Sequence, residues 1–315
     1  MRLLPHLIRT APRVYPEFGW REQYARLKYC VRGLLTPFCT QRWFALLERP
    51  ELTGLTRAHP FVFSKLQRPY LRLGLPTHGR LAVLQAHYGF VAERLSAEAR
   101  EQVLAGPGVR LTGPSLDETG RLGLWLVHRD LEKEGDLSLC LREEDAAPPL
   151  FILTFCLAAH GPHSTEAFIG GLQGRRARTE PERVRLMQRV VEVTRAMHGL
   201  RPKALLLFAL QQLAQAWRVT RLRAVGDATH VYRSLRKRRT IAASYDEFWS
   251  ECGGQRTADG SFDLPLIAEE RDLSGLKPTK RALYRRRYAW LDEVAREIRQ
   301  TAMAAASAGA GRSGE

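Results

Sequence analysis

Phe168–Gly174 reads FIGGLQG, Met197–Trp217 reads MHGLRPKALLLFALQQLAQAW, and Arg221–Arg239 reads RLRAVGDATHVYRSLRKRR. An apolar strand runs into glycines. A Gly/Pro-punctuated loop then opens a helix, a short strand follows, and a polar and basic cluster closes the stretch. That order can build a pocket for an anionic ligand at a helix N-terminus.

Upstream of it, Val109–Thr112, Leu122–Val127, Leu137–Leu141, Leu150–Leu157 and Ala167–Leu172 are short apolar or alternating runs. Turn residues separate them, Asp117, Glu118, Thr119 and Gly120 before the second and Gly161 with Pro162 before the last. Strands this close, without helices between them, imply antiparallel hairpins. Phe151–Leu157 is almost wholly apolar, as a central strand covered on both faces would be. Helices are expected at 181–197, with Thr179 as N-cap, Pro181 in the first turn and Gly199 at the end, and at 202–217. Leu222–Val225 reads as a further strand, and 279–303 as a last, basic helix.

The first hundred residues read as helical. Glu22–Leu34 carries Tyr24, Leu27, Val31 and Leu34 near one face, Thr40–Leu47 continues after Pro37, and a third helix is expected from about Arg80 to Leu95. The fold class expected is α+β: a helical N-terminal region (1–105), then a mainly antiparallel mixed sheet with packed helices (106–302). The low-complexity tail, 303–315, is expected to be disordered.

The chain has 315 residues, 44% hydrophobic, with a formal net charge of +16. Such an excess favours anionic partners, and arginine suits bidentate phosphate contacts; high-GC coding enriches arginine as well. Five scattered cysteines lack metal-ligand spacing, so no metal site is expected and reduced thiols are the simplest account. The N-terminus lacks a secretory apolar core, and the longest apolar run, Ala204–Leu210, is too short to span a bilayer. A cytoplasmic protein is expected, with any membrane contact peripheral, at the inner membrane.

The blocks HGLRPKALLLFALQQLA, VGDATHVYRSLRKRRTIAASYDEFWSECGG, DGSFDLP and KRALYRRRYAWLD resemble the VirK/YbjX family of bacterial proteins. The resemblance covers roughly the last two-thirds of the chain. It implies a setting in virulence, envelope integrity and tolerance of cationic antimicrobial peptides, and it supplies no catalytic residues. The strand–helix order also resembles the acyl-CoA N-acyltransferase (GNAT-like) fold, where a Q/RxxGxG/A loop holds the cofactor pyrophosphate. Here Met197–Lys203 has one Gly and a Pro, and an extra helix, 181–197, precedes it.

Several groups are candidates for chemistry, each with a plainer alternative. His198, Gly199, Arg201 and Lys203 would join free helix amides to two cations and hold a phosphate or carboxylate; the same corner also reads as an ordinary helix–helix turn. Gly171 permits close approach of a ligand and Gln173 could bond it, or the strand end is simply bulged. His230 could act as acid or base, with Asp227 orienting it and Tyr232 donating a proton, or Asp227 and Thr229 satisfy backbone groups. Arg233, Arg236 and Lys237, with Arg238 and Arg239, would bind an anion or form a solvated face. Tyr245, Phe248 and Trp249 fit one face of a short helix. Lys280, Arg281, Arg285, Arg286 and Arg287 alternate with Tyr284, Tyr288 and Trp290.

The leading expectation is acyl or aminoacyl transfer from a donor with an anionic group, acyl-CoA or aminoacyl-tRNA. Other nucleic acid is not expected as a partner. The alternative is a non-enzymatic basic adaptor on anionic membrane or envelope components.

Overall fold

The structure, a computed structural model, describes residues 3–112, 116, 121–128, 133–143, 148–159, 161, 164–233 and 244–307. The tail from 308 onward and the turn residues Asp117, Glu118, Thr119, Gly120 and Pro162 lie outside them.

The N-terminal region folds into α1 (Leu3–Val14), α2 (Trp20–Leu35), α3 (Pro37–Leu47), α4 (Thr53–Ala58), α5 (Thr77–Arg94) and α6 (Ala97–Leu104), with a 3-10 segment at Pro60–Gln67. The expected helices at Glu22–Leu34, Thr40–Leu47 and Arg80–Leu95 fall within α2, α3 and α5; α1, α4 and α6 are additional. Apolar stripes on helices normally face a core, but Tyr24, Leu27, Val31 and Leu34 of α2 face outward. The buried positions of that helix are Tyr29 and Gly33.

The sheet is built from β1 (Val109–Arg110), β2 (Leu122–His128), β3 (Leu137–Glu143), β4 (Phe151–Ala159), β5 (Thr165–Gly174), β6 (Arg221–Ala224), β7 (Gln255–Arg256) and β8 (Phe262–Leu264), in the order β1-β2-β3-β4-β5-β6-β8-β7. Every neighbouring pair is antiparallel except β5–β6. The fold is therefore α+β with a mainly antiparallel mixed sheet.

Two features of the middle strands position the site. Thr154 pairs with Gly171 and Phe155 with Ile169, so Gly170 is the extra residue of a β-bulge. Only a glycine fits there, because a Cβ would strike the Glu134 backbone carbonyl. The parallel pairing then runs only from Glu166↔Arg221 to Ile169↔Ala224. Beyond Ile169, β5 continues to Gly174 without β6 beside it.

α7 (Glu180–Ala196) and α8 (Pro202–Ala216) follow β5. The Thr179 side chain caps α7 by accepting from Glu182 N. His198 and Gly199, at φ 51° and 76°, end it in the left-handed region. α8 packs on β3, β4 and β5, and α10 (Pro278–Ala304) packs on α8. α5 packs on β4. The helical region and the sheet share one hydrophobic core, from Leu3 to Ala302.

A charged network lies inside that core. Lys65 and Asp136 form a wholly buried ion pair. The hydroxyls of Tyr70 and of Tyr88, the latter at 2.5 Å, also donate to Asp136. Burial alone would raise the pKa of Asp136, but the charge of Lys65, helped by His87 and His128, holds it well below the usual carboxylate range.

Candidate functional site

The turn Lys133–Asp136 enters β3 against the N-terminal region. Leu71 N donates to Lys133 O at 2.6 Å. This turn projects Glu134 over the open part of β5. Gly171 has no side chain there because a Cβ would meet the Glu134 carboxylate. Gln173, two residues on and therefore on the same side of the strand, donates from Nε2 to Glu134 Oε2 at 3.0 Å.

His230 reaches the same carboxylate from the loop after β6. Its Nε2 lies 3.3 Å from Glu134 Oε1, within ion-pair distance but without hydrogen-bond alignment. Both side chains are nearly sealed, at 2% and 3% exposure. His230 Nδ1 accepts from Tyr232 N at 3.3 Å, which assigns the proton of the neutral ring to Nε2, facing Glu134. A ring so engaged has no free lone pair. The Glu134 carboxylate receives the Gln173 amide and lies beside the His230 ring.

Tyr245 completes the cluster from α9 (Tyr245–Glu251). Its ring stacks on His230 at 5.1 Å between centroids. Its hydroxyl accepts from Leu172 N at 3.2 Å, a β5 amide beyond the end of β6, so the hydroxyl proton stays available. Burial, then the charge of Glu134, push the phenol above its ordinary range.

Other sequence candidates sit differently. Asp227 does not orient His230. It accepts from Ser244 Oγ at 2.8 Å and Tyr245 N at 2.9 Å, so it fastens the start of α9. The carboxylate beside His230 is instead that of Glu134, 96 residues away. Tyr232 is half-buried, with the Lys133 ammonium 5.2 Å from its ring centroid. Arg233 is exposed beside it. Arg236, Lys237, Arg238 and Arg239 lie outside the described residues.

The His198–Lys203 corner does not join this cluster. Arg287 donates twice to His198 O, at 3.0 and 2.8 Å. Arg201 pairs with Glu251 at 2.5 Å, and the Lys203 ammonium lies 5.9 Å from the Phe248 ring centroid. The N–H groups of Ala204 and Leu205 turn back onto Arg201 O. Pro202 has no N–H, so Lys203 N is the one first-turn amide without a backbone acceptor among the described residues. α9 stands between the two groups: Tyr245 at its start touches His230, and Glu251 at its end holds Arg201. That is roughly 9 Å of helical rise. The geometry at the corner is that of a helix–helix turn, with Gly199 stopping one helix and Pro202 starting the next.

The basic stretch of α10 is partly engaged as well. Arg281 donates to the carbonyls of Ser274 and Leu276, while Lys280, Arg285 and Arg286 are exposed. Burial pushes the Cys252 thiol up to about 11, the opposite of what a nucleophile needs. Among the described residues, no group of three His, Cys, Asp or Glu side chains is arranged to hold a metal ion, and no helix is long and apolar enough to cross a membrane.

Glu134 and Tyr245 are the site groups that sequence reasoning missed or assigned to packing. Glu134 sits in a charged stretch, LEKEGD, with no periodicity to mark it. The one usable signal was the glycine pair opposite it, Gly170-Gly171, whose missing side chains leave room for that carboxylate.

Residues 19–300 match the model of a family described as "Protein of unknown function (DUF535)". The chain is 34% identical over 280 residues to "Uncharacterized protein YbjX" of Escherichia coli (strain K12), an alignment covering 87% of this chain and 82% of that one. It is 28% identical over 284 residues to an uncharacterized protein of Haemophilus influenzae, covering 90% and 81%. No solved structure matches the chain. With the family model spanning most of its length, the chain belongs to the DUF535 family, the VirK/YbjX proteins.

Proposed function

We propose that the protein transfers an acyl or aminoacyl group, with Glu134 as the base that prepares the acceptor. The observation that carries this reading is a nearly sealed carboxylate, bonded by Gln173 and lying beside His230, where β5 runs on past the end of β6. The reading is supported by analogy with acyltransferases of GNAT-like fold, which the strand–helix order resembles. An acceptor amine or hydroxyl would give its proton to Glu134 and attack the donor carbonyl. The thiol or ribose oxygen of the donor would leave and take a proton, for which the Tyr245 hydroxyl is available. Lys133, Arg233 and Arg176 are described cations near this cluster that could meet the donor's anionic part. The setting in envelope stress and tolerance of cationic peptides belongs to the same proposal, and family membership alone supports it.

The test is transfer by the purified chain from a panel of acyl-CoA thioesters and charged tRNAs, followed by mass spectrometry of product. Loss of a positioned general base lowers kcat by roughly a hundredfold or more. Glu134→Gln should therefore reduce kcat by at least that factor with KM little changed. Transfer unaffected by Glu134→Gln, or no donor retained from the panel, would end the reading.

A further inference from the structure

Helix α2 presents two apolar faces. Tyr29 and Gly33 face the core. Trp20, Tyr24, Leu27, Val31, Leu34 and Leu35 face away from it, with Trp20 77% and Leu35 74% exposed. At roughly 100° per residue the outward six fall within an arc of about 100°, so they form a continuous stripe rather than scattered surface contacts. Phe18, 90% exposed, and Phe38, 63% exposed, extend it at both ends. Exposed apolar stretches of this extent mark interaction surfaces.

The flank of the stripe is cationic. Arg21, Lys28 and Arg32 fall roughly 80–120° around the helix from Trp20. The exposed aromatics carry cations over their rings: Arg21 over Trp20 at 5.4 Å, Lys28 over Tyr24 at 5.8 Å and Arg42 over Phe38 at 4.5 Å. Neither Lys28 nor Arg32 has an ion pair among the described residues.

Beside this flank lies a cavity of about 250 Å³ between α2 and the 3-10 segment Pro60–Gln67. Lys28, Arg32 and Arg68 line it together with three tyrosines, and no carboxylate does. Gln67 lines it too, and its Nε2 is buried without an acceptor among the described residues. Arg80 lies close enough for burial, then the charge of Arg32, to lower its pKa. Lys28 and Arg32, at a cavity with no counter-charge for them among the described residues and an amide donor lacking an acceptor beside them, call for an anion.

We propose that α2 is a membrane-docking face for anionic phospholipid, its stripe entering the headgroup–acyl boundary while one lipid phosphate occupies the cavity at Lys28, Arg32 and Gln67. The combination of aromatic and aliphatic residues with a basic flank is what an interfacial helix requires. The stripe is too short and too narrow to span, so the contact is peripheral. This inference stands on α2 and its cavity and is independent of the transfer reading.

The experiment is co-sedimentation of the full chain with vesicles of phosphatidylcholine alone and of phosphatidylcholine with phosphatidylglycerol in equal parts. Two double variants accompany it, Leu27→Asp with Val31→Asp and Lys28→Glu with Arg32→Glu. All four positions are exposed, and unchanged melting temperatures verify that the variants fold. Binding is expected only to the phosphatidylglycerol vesicles, weakening with salt. The stripe variant should lose about tenfold or more, and the cation variant about thirtyfold or more. Equal binding to both vesicles, or retention by either variant, overturns the proposal. So does a wild-type dimer that the stripe variant dissolves without any vesicle binding, which would assign the face to a second copy. Stabilisation by inorganic phosphate without vesicle binding overturns the lipid assignment.

Discussion

Replacing Lys65 by Met removes the cation from the buried Asp136 network while keeping most of the side-chain volume. Asp136 is wholly buried and would retain the hydroxyls of Tyr70 and Tyr88 and the weak Cys156 thiol donor at 3.6 Å. Breaking a buried pair by removing one partner costs about 3–5 kcal/mol. For a protein of this size that corresponds to a fall in Tm of roughly 5–8 °C. The pH dependence gives a sharper test. In the wild type Asp136 is held below its ordinary pKa, so its contribution is complete above the unfolded value of about 3.9 and is lost only in strong acid. Without Lys65 the largest opposing charge is gone, and burial raises the carboxyl above that value. A group raised in this way stabilises at low pH and loses that contribution as pH rises through the folded pKa. The Tm deficit of Lys65→Met against wild type should therefore be smaller near about pH 5 than near about pH 8. Adding Asp136→Asn removes the charge but keeps an oxygen for the two tyrosines, and should recover more than half of the loss. Scanning calorimetry of the three proteins at both pH values decides it. A deficit independent of pH, or a double variant no better than the single, would refute the electrostatic account of this core.

Three further outcomes follow from the same physics. His87 and His128 are lowered by burial to about 4 and about 3, so both are neutral in the fold and their contribution is lost as pH falls from about 6.5 towards these values. Neither His128 nitrogen has a hydrogen-bond partner among the described residues, so His128→Leu should match or exceed wild-type Tm at neutral pH and lose less of it on acidification, as read by thermal circular dichroism. At the bulge, Gly170→Ala would drive a Cβ into the Glu134 backbone carbonyl, and Gly171→Ala into its side chain. Backbone yields less than a rotatable carboxylate, so calorimetry should rank Gly170→Ala as the more damaging, with Gly171→Ala costing about 1–3 kcal/mol through the partners left unpaired. Asp227→Ala should cost about 1 kcal/mol by unfastening α9, and an unchanged urea midpoint would show that the cap contributes nothing.

What the amino-acid sequence determined by itself is the order of the elements. Apolar periodicity and Gly/Pro punctuation are properties of a few neighbouring residues, so the five consecutive antiparallel strands, the caps at Thr179 and Gly199 and the helix start at Pro202 were legible one segment at a time. The same local logic identified Gly171, Gln173 and His230 as positions where something could bind, and Tyr245 with Trp249 as one helical face. It could not tell which charged residue would meet them. Glu134 reaches Gln173 and His230 across separations of 39 and 96 residues, and only the closure of the sheet and the turn entering β3 bring them together. Tertiary packing also decided which face of α2 is outside. Its periodic stripe and the Tyr29–Gly33 face are both apolar, and the choice between them depends on what α1 and the 3-10 segment fill. The buried Lys65 is likewise invisible locally, because a lysine is sequestered only when a carboxylate from a distant strand, here Asp136, compensates its charge.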